Sequence, residues 1–542
     1  MPLVAAFAFA AASSASAQAD PGSVERTIPK LEVKPAPGSS QVAARVVSRQ
    51  QNARIGGTFV LGAVNIEGAT VFSSAELAQS FEPYLASRVG QAELDKIAAD
   101  ITDRYRRAGY LLSYAVLPAQ SVASGIVNIR VVEGFIADVH VEGDARAAEA
   151  VRAVAAELRE DRPLRTSALE RVLGIIRDMP GVTVRDTRIS RSPADPARHE
   201  LTIFVGGDRV RGLAYSDNRG TIAGARVRGY SSFSIGSLAF PGDQAQLDLF
   251  TIPGDDFRYF YGQAKASVPL NADGLRFTAA ASRGQQFQRI AGPDIHGKSR
   301  QLVAELSYPF AKARTLALVG HVSVGDWMSA EKRQGSLIQR DRLQFARAWI
   351  EVTRATNRFR LDGRFGISQG LDLGSGTERG DPLATRPSGS AKFTKFNADV
   401  QVVAPLTKKL FLRVDSSAQY STKPLLASEE FALGGSRIGR AFDFNTVTGD
   451  HGVGGMVELS YQLGSIKNAP KGLELFTYAD GGGAFRKHAS PGLPHEQWLA
   501  SAGAGGRFTA LGMIWSGEVG VPLKHSRSNQ HPRVFFSVVR TF

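Results

Sequence analysis

From about Arg209 to its end, the chain is a series of short segments in which apolar residues alternate with small or polar ones. A period of two is the pattern of β-strands that have one apolar face. Gly, Asp, Asn and Pro separate the segments, of which QAQLDLFTI, LRFTAAAS and KFNADVQVVAPL are examples. With about 21 residues for each strand and its loop, the range 208–542 predicts roughly sixteen strands.

Two β architectures fit this alternation, a soluble sandwich and a membrane barrel. Segments of about ten residues and turns that alternate between short and long favour the barrel. A proline also recurs at the short turns, at Pro269, Pro309, Pro405 and Pro522. We therefore predict a membrane β-barrel of about 16 antiparallel strands. Phe542 closes its last strand, and we expect this aromatic residue to be part of the assembly signal.

The start of the chain indicates export. Residues 1–19 contain a short apolar run that ends in Ala-x-Ala, the pattern of a secretory signal peptide and its cleavage site. No run of about 18 apolar residues follows, so a membrane-embedded form of the chain can only be a barrel.

Composition narrows the chemistry. The chain has no cysteine, which excludes disulfides, thiolate zinc sites and cysteine nucleophiles. The net charge of +14 is spread along the sequence without a Lys/Arg block, so we expect no nucleic-acid partner. Positive charge that lines a pore or faces anionic lipid fits better.

The range 20–57 is polar and contains Pro21, Pro29, Pro35 and Pro37. Its composition cannot form a core of its own. We interpret it as a linker or a mobile plug segment, with a possible short helix at 41–51.

Two modules follow, 58–136 and 137–207, and both show the order β-α-α-β-β. Val64–Gly68 (VNIEG) and Val139–Gly143 (VHVEG) match at a spacing of 75 residues. A repeat of this length indicates a repeated structural unit. The fold class that we predict is therefore two α+β domains in front of the barrel.

Several catalytic patterns occur but lack their context. The range 366–370 (GISQG) matches a nucleophile elbow, which needs a strand-to-helix turn, and a loop follows it here. The glycines at 481–483 have no Lys-Ser/Thr after them, so they are not a phosphate-binding loop. The nine histidines are scattered. We predict no enzyme, no cofactor and no metal site.

The range 427–455 is long and carries apolar residues between its glycines. Loops of this length are uncommon and usually functional. We expect it to fold into the barrel. Arg440 would then be buried and need an acidic partner, because an unpaired buried charge costs several kcal/mol. Asp480 lies on a strand face that cannot point to lipid, so we expect it to pair with Arg440.

Several motifs together resemble one family. DRYRRAGY, AVLPAQ and IVNIRVVEG resemble the POTRA module of the two-partner secretion transporters, the hemolysin and filamentous-hemagglutinin exporters of the Omp85 superfamily. YSDNRGTIAGARVRGY resembles their first barrel hairpin. The tip of their sixth extracellular loop has the signature Val-Arg-Gly-aromatic. In this sequence Arg440 and Phe442 match it, Gly439 and Ala441 replace its Val and Gly, and Asp480 matches the end of the companion wall motif.

The resemblance implies an outer-membrane pore that exports an unfolded partner protein, bearing an N-terminal secretion domain, from periplasm to cell surface. It implies periplasmic POTRA modules, contact with outer-membrane lipid and the barrel-assembly machinery, and a monomer. Partner recognition would involve Tyr105, Gly109, Tyr110, Pro118, Gln120, Glu133 and Gly134. The alternative is a barrel-assembly factor of the same superfamily, although such factors typically carry more POTRA modules.

Overall fold

The computed structural model describes residues 21–25, 27–28, 45–47, 52–220, 226–289, 294–463, 471–488, 494–525 and 531–542. The expected signal peptide, 1–19, lies outside these residues, as does most of the range 20–57. Two pieces of that range are regular: helix α1, Pro21–Glu25, and strand β1, Arg45–Val47. The helix expected at 41–51 is thus wrong at 45–47, because this stretch pairs with a neighbouring sheet edge and adopts its extended conformation.

The first module has a three-stranded sheet in the order β3-β6-β5 and a separate pair of short strands, β2 and β4. Leu94, Ile97, Ile101 and Tyr105 form the buried face of the long helix α3, with the three- and four-residue spacing of an amphipathic helix. The elements are β2 (Phe59–Val60), β3 (Ala63–Glu67), α2 (Ser74–Ala78), a 3₁₀ turn (Glu82–Tyr84), β4 (Arg88–Val89), α3 (Gln91–Arg107), β5 (Tyr114–Val116) and β6 (Ile126–Val132).

The second module begins at Phe135, two residues before the expected boundary, because β7 already pairs there with β9. Its sheet has the order β1-β8-β9-β7, so β1 from the N-terminal segment is an added parallel strand. The elements are β7 (Phe135–Gly143), α4 (Ala145–Ala155), a 3₁₀ turn (Ala156–Arg159), α5 (Thr166–Arg177), β8 (Thr183–Arg191) and β9 (Arg198–Gly206).

Sixteen antiparallel strands form a closed barrel, which confirms the predicted fold class. The chain order is β10 (Val210–Asp217), β11 (Arg228–Gly236), β12 (Gln244–Ile252), β13 (Phe257–Pro269), β14 (Arg276–Gln288), β15 (Ile295–Lys312), β16 (Leu316–Arg333), β17 (Ser336–Ala355), β18 (Arg360–Gly370), β19 (Thr394–Pro405), β20 (Leu410–Ser421), then the inner strands β21 (Phe431–Leu433) and β22 (Val447–Gly449), then β23 (His451–Gln462), β24 (Lys471–Phe485), β25 (Glu496–Ala510), β26 (Met513–His525) and β27 (Arg533–Thr541). Strands β10 and β27 close the barrel through five residue pairs, from Leu213–Thr541 to Asp217–Ser537.

The wall has the two faces that a membrane barrel requires. Leu302, Val322 and Val324 point outward and are more than half exposed, whereas Ser299 and Ser323 point inward. An apolar outer band and a polar lumen are the pattern of outer-membrane barrels. Among the described residues, no helix has the length and apolarity to cross a membrane.

The second module is bound to one end of the barrel, the end at which the chain passes from this module into strand β10. Arg171 Nη2 lies 3.0 Å from Asp273 Oδ1 and 3.2 Å from the Tyr308 hydroxyl. Lys312 forms an ion pair with Asp178. These contacts join helix α5 and the residue after it to the turn between β13 and β14 and to the end of β15, and so fix the module beside the mouth of the lumen.

Candidate functional site in the barrel lumen

The long loop between β20 and β23 folds into the barrel and spans residues 422–450. The expected bounds of 427–455 are shifted, because Gly452 pairs with Gln419 and Gly455 with Ser416 in the barrel wall. Glycine is depleted in strands, which explains why this run reads as loop in the sequence.

The glycines of β23 and β24 make room for the loop. A Cβ added at Gly452 would overlap the Phe431 ring, and one added at Gly454 would lie 2.7 Å from Leu433 Cδ2. The inner hairpin of β21 and β22 therefore packs directly on the wall. Its cluster comprises Phe431, Leu433, Ile438, Phe442 and Val447 from the loop and Met456, Phe476, Tyr478, Ala484 and Leu499 from the wall.

The loop tip is a tight turn. The Phe442 N–H donates to Gly439 O at 2.9 Å, and the Gly435 N–H donates to Phe442 O at 3.1 Å. Gly439 has φ +82°, a conformation that favours glycine. Ala441 is fully buried in the turn without a positive φ. Gly439 and Ala441 are the two residues that depart from the family signature. They give a turn in which the residue with positive φ, Gly439, directly precedes Arg440.

Arg440 is held by two glutamates of the wall. Its Nη1 donates to Glu458 Oε2 at 2.6 Å, and its Nη2 forms an ion pair with Glu518. All three side chains are buried, and the guanidinium lies 3.9 Å from the centroid of the Tyr478 ring. A buried arginine is stable only with such compensation, and two carboxylates plus an aromatic face supply it.

Asp480 is beside Arg440 but does not bind its side chain. The Arg440 backbone N–H donates to Asp480 Oδ2 at 2.9 Å, and the Ser501 hydroxyl donates to Oδ1. The expected ion pair between the two side chains is therefore corrected. The short aspartate reaches the backbone of the turn, whereas the longer glutamates of β23 and β26 reach the guanidinium.

Two further arginines complete this cluster. Arg219, just after β10, donates from Nη1 to Arg440 O at 2.8 Å and forms an ion pair with Glu518. Arg507 of β25 forms an ion pair with Glu458. The sequence reasoning missed Arg219, Glu458, Arg507 and Glu518. An inward-facing charged residue on a barrel strand is the signal that could have identified Glu458 and Glu518.

The start of the loop is held by a second set of ion pairs. Glu429 lies 2.6 Å from Arg347 Nη2 and 2.7 Å from Lys395 Nζ. Arg386, which is in the loop between β18 and β19, lies 3.0 Å from Glu430 and 2.7 Å from Asp450. Both ends of the inward loop are therefore attached to other parts of the barrel.

Helix α1 also lies in the lumen. Val24 is fully buried against Leu213, Phe250 and Phe257. Glu25 accepts hydrogen bonds from Trp327 Nε1 at 3.2 Å, from the Tyr259 hydroxyl at 3.3 Å, and from Ser299. The sequence reasoning did not identify Glu25, because one glutamate in a polar segment carries no signal.

Helix α1 and the loop leave part of the lumen open. A cavity of ≈ 550 Å³ remains between them, and Glu25, Arg347 and Glu429 are among its lining residues. The lumen is thus narrowed by two separate segments of the chain.

The residues expected to recognise the partner are mostly scaffold of the first module. Tyr105 is fully buried and donates to Glu133 Oε1 at 2.7 Å. Glu133 also accepts from the backbone N–H groups of Thr70 at 2.7 Å and Val71 at 3.0 Å. Burial acts to raise the pKa of the Glu133 carboxyl, but these hydrogen bonds outweigh it and hold the pKa below its usual value.

The other expected recognition residues lie at a helix end, at the junction of the modules or along β6. Gly109 follows α3 with φ +91°, the conformation of a left-handed helix cap, and the Tyr110 N–H donates to Tyr105 O at 2.9 Å. Gly134 leaves no space for a Cβ against Leu112. Gln120, two residues after Pro118, exchanges two hydrogen bonds with the backbone of Asn128 in β6, at 2.6 and 2.7 Å.

Phe542 lies beside the barrel seam. Its N–H donates to Gly212 O at 3.0 Å, and the Gly212 N–H donates back to Phe542 O at 2.6 Å. A Cβ at Gly212 would overlap the Phe542 ring, which is 56% exposed. The residue thus joins the last strand to the first.

The ion pairs in the lumen are suited to holding the inward loop in one conformation. Its charges are paired across the lumen, and the described residues contain no group of three or more His, Cys, Asp or Glu side chains that could hold a metal ion.

Comparisons with known proteins agree with this geometry. The model of the POTRA domain, ShlB-type, matches residues 59–134. The model of the haemolysin secretion/activation protein ShlB/FhaC/HecB matches residues 206–508.

Relatives and solved structures extend the match to nearly the whole chain. The heme/hemopexin transporter protein HuxB of Haemophilus influenzae is 22% identical over 485 residues, 86% of this chain and 84% of HuxB. The structure of CdiB from Escherichia coli has a TM-score of 0.73 at 19% identity and covers 96% of this chain and 95% of CdiB. BamA from Haemophilus ducreyi lacking POTRA domains 1–3 has a TM-score of 0.52 at 14% identity over 89% of this chain and 100% of BamA, a likeness of fold alone.

These matches confirm the predicted outer-membrane location, the periplasmic POTRA modules and the function of an export pore for a partner protein. The chain belongs to the haemolysin secretion/activation protein family ShlB/FhaC/HecB.

Proposed function

We propose that one copy of this chain exports one secreted protein, which enters from the periplasm as an unfolded chain and is recognised through an N-terminal secretion domain. The observation that carries this proposal is the occupied lumen. Helix α1 and the inward loop are held there by contacts that can be broken without opening the wall. A pore built in this way is closed at rest and opens when the segments move.

The contacts of Arg440 support a role for the loop in this process. The guanidinium joins the loop tip to Glu458 and Glu518, so it fixes the loop in one position. No catalytic step belongs to this proposal. The drive for transport would come from folding of the exported protein outside the cell.

The two modules are the proposed recognition unit. The first module is POTRA 1 and the second is POTRA 2. POTRA 2 is bound to the barrel mouth through the ion pairs of Arg171 with Asp273 and of Asp178 with Lys312, so an extended chain on its surface is delivered beside the lumen. Sheet edges can bind an extended partner as an added strand. Deletion of residues 58–134 is expected to abolish export while the barrel still reaches the outer membrane. Normal export by that variant would contradict recognition by POTRA 1.

The decisive experiment compares surface proteins of cells with and without the transporter. Deletion of the transporter is expected to remove one large secreted protein from the cell surface, while other outer-membrane barrels keep normal levels. A general loss of barrels would instead support the assembly-factor alternative, for which the likeness to BamA provides only the fold.

A matched pair of variants then tests the lumen. Arg440→Ala is expected to reduce export at normal membrane levels. Arg437→Ala is the comparison, because Arg437 lies in the same loop but its ion pair with Asp399 of the wall is exposed to solvent, and exposed ion pairs contribute little. Equal effects of the two substitutions would contradict a specific role for Arg440.

A further inference from the structure

The outside of the barrel carries a patch of positive charge that faces lipid. Ser299 points into the lumen, where its hydroxyl donates to Glu25. Side chains alternate along a strand, so Lys298 and Arg300 point outward, and both are exposed. The same alternation places further exposed cations on the outside of the nearby strands, namely Arg258 of β13, Arg283 of β14, Lys332 of β16 and Arg340 of β17. We call these six residues the cationic patch.

The patch lies at the end of the barrel away from POTRA 2. Strand β15 ends at Lys312, beside POTRA 2, and Arg300 precedes it by twelve residues. At roughly 3.3 Å per residue and a strand tilt of about 40°, the two are about 30 Å apart along the barrel axis. The outward residues between them include the exposed Leu302, Leu306 and Phe310. The patch therefore borders the apolar band on its outer side, at the level of the outer-leaflet headgroups.

Strand register brings like charges together in this patch. Arg283 is the register partner of Arg300, and Lys298 is the next outward residue of β15. Directly opposite residues have Cβ atoms about 4.5–5.5 Å apart, and like charges at that spacing destabilise a sheet. An anion that lies between the two arginines removes this repulsion.

The protein itself does not supply that anion. Asp326, on the outside of β16, lies 3.9 Å from Arg342. Within the described residues, Arg283, Lys298 and Arg300 have no ion-pair partner. The anion that fits between them therefore comes from outside the chain.

The opposite side of the barrel differs. Near the outer ends of β23 and β26 the outward side chains are apolar, and they include Val453, Val521 and Leu523. A barrel that used cations only to mark the membrane boundary would carry them around its whole circumference. Charge concentrated on β13–β17 indicates a ligand bound at one place.

The ligand that fits has both phosphate and acyl chains. The planar fork of arginine binds phosphate oxygens through two hydrogen bonds, and lysine adds a point charge. Acyl chains fit the apolar side chains directly below the cations, Leu302 and Leu306. In an outer membrane the outer-leaflet molecule with both parts is lipopolysaccharide, whose lipid A carries phosphates and acyl chains on the same sugars. An acidic protein segment would bind the cations but leave the apolar surface uncovered.

We propose that the outside of β14 and β15 is a binding site for lipid A. A phosphate lies between Arg283 and Arg300, Lys298 contacts the same headgroup, and the acyl chains lie along Leu302 and Leu306. The ligand attaches this side of the barrel to the outer leaflet. The site is separate from the lumen and does not depend on the proposed export function.

Binding of purified diphosphorylated lipid A to the full chain in detergent tests the site. Arg283→Gln with Arg300→Gln is expected to weaken binding at least tenfold, because two cations are lost from the headgroup. The matched control is Lys408→Gln with Lys409→Gln, which removes two exposed cations from the periplasmic turn between β19 and β20 of the same barrel. Its affinity is expected to stay within twofold of the wild-type value. Heat-modifiable gel mobility verifies that both variants are folded.

A second measurement uses the wild type alone. Lipid A without its phosphates is expected to bind at least tenfold more weakly than diphosphorylated lipid A, and phosphatidylglycerol at least fivefold more weakly. Equal binding of the three lipids would contradict a lipid A site, as would equal lipid A affinities of the two double variants. Binding of a polyglutamate peptide without any binding of lipid A would assign the patch to an acidic protein segment instead.

Discussion

Arg440 is bound by glutamates from two different strands, and this choice of partners determines how substitutions combine. Glu458 and Glu518 bind its guanidinium, whereas Asp480 binds its backbone N–H, which any residue at position 440 retains. Removal of one partner from a buried ion pair typically costs about 3–5 kcal/mol.

We expect Arg440→Ala and Glu518→Gln to be coupled. Each substitution breaks the same interaction, so the double variant should lose little more stability than either single one. Arg440→Ala with Asp480→Ala should be closer to additive. The measurement is the temperature at which the folded barrel loses its compact gel mobility. Additive losses for Arg440 with Glu518 would show that this ion pair does not hold the loop tip.

At this scale the sequence indicated that Arg440 is buried and that Asp480 faces the lumen. It could not indicate which carboxylate binds the guanidinium. A strand pattern gives the face of a residue, but the reach of its side chain depends on where the loop tip stops. That position is set by the packing of Phe431 and Leu433 on the wall.

At the scale of elements, the glycines of β23 leave space on the barrel wall for the inward loop. Gly452 and Gly455 lie in the same strand, but only Gly452 is covered by a loop side chain. A Cβ at Gly455 would meet its nearest neighbour, Asp415 O, at 3.6 Å, an ordinary contact.

Gly452→Val is therefore expected to push the inner hairpin out of place, while Gly455→Ala is tolerated. The measurements are protease cleavage of the loop in intact cells and ion conductance in planar bilayers. Both should rise for Gly452→Val and stay at wild-type values for Gly455→Ala. Equal values for the two variants would contradict the packing of the loop on this strand.

Helix α1 has only five residues, so its position depends on its contacts and not on helix stability. Glu25→Ala removes acceptors for Trp327, Tyr259 and Ser299. A hydrogen bond to a charged group contributes about 1.5–3 kcal/mol. We expect the open fraction in planar bilayers to increase tenfold or more, with Glu76→Ala on POTRA 1 as the control. Unchanged conductance would mean that Glu25 does not hold the plug.

Elements with a strong period were predictable and short ones were not. The period of two predicted about sixteen strands, and the structure has sixteen in the barrel. The spacing of Leu94, Ile97, Ile101 and Tyr105 is a similarly clear signal for α3. Strand β1 has three residues, too few to show a period, and its pairing is determined by an edge more than 130 positions away in the chain. The loop end was misplaced because glycines in a wall strand look like loop glycines.

At the scale of the whole molecule, the weakest junction is the seam between β10 and β27. Among the described strand pairs of the barrel it has the fewest residue pairs. Phe542 extends it by two hydrogen bonds with Gly212. Its ring is also 5.7 Å from that of Phe233 on the outer surface.

Phe542→Ala is expected to lower the amount of folded, heat-modifiable protein in the outer membrane. The backbone hydrogen bonds remain, so the loss comes from the aromatic ring that covers Gly212 and faces lipid. Phe536→Ala is a suitable comparison, because Phe536 is a similarly exposed ring in the same strand. Normal amounts of folded Phe542→Ala would exclude the ring from assembly.

The ion-pair cluster around Arg440 has a consequence for the order in which the protein folds. Arg219 and Glu518 are 299 positions apart and meet only when the first and last strands are neighbours. Arg440 lies between them in sequence and binds both. Contacts so distant in sequence form late in folding. The loop tip can therefore reach its final position only as the barrel closes. The pore and the loop that blocks it are thus completed in the same last step of folding.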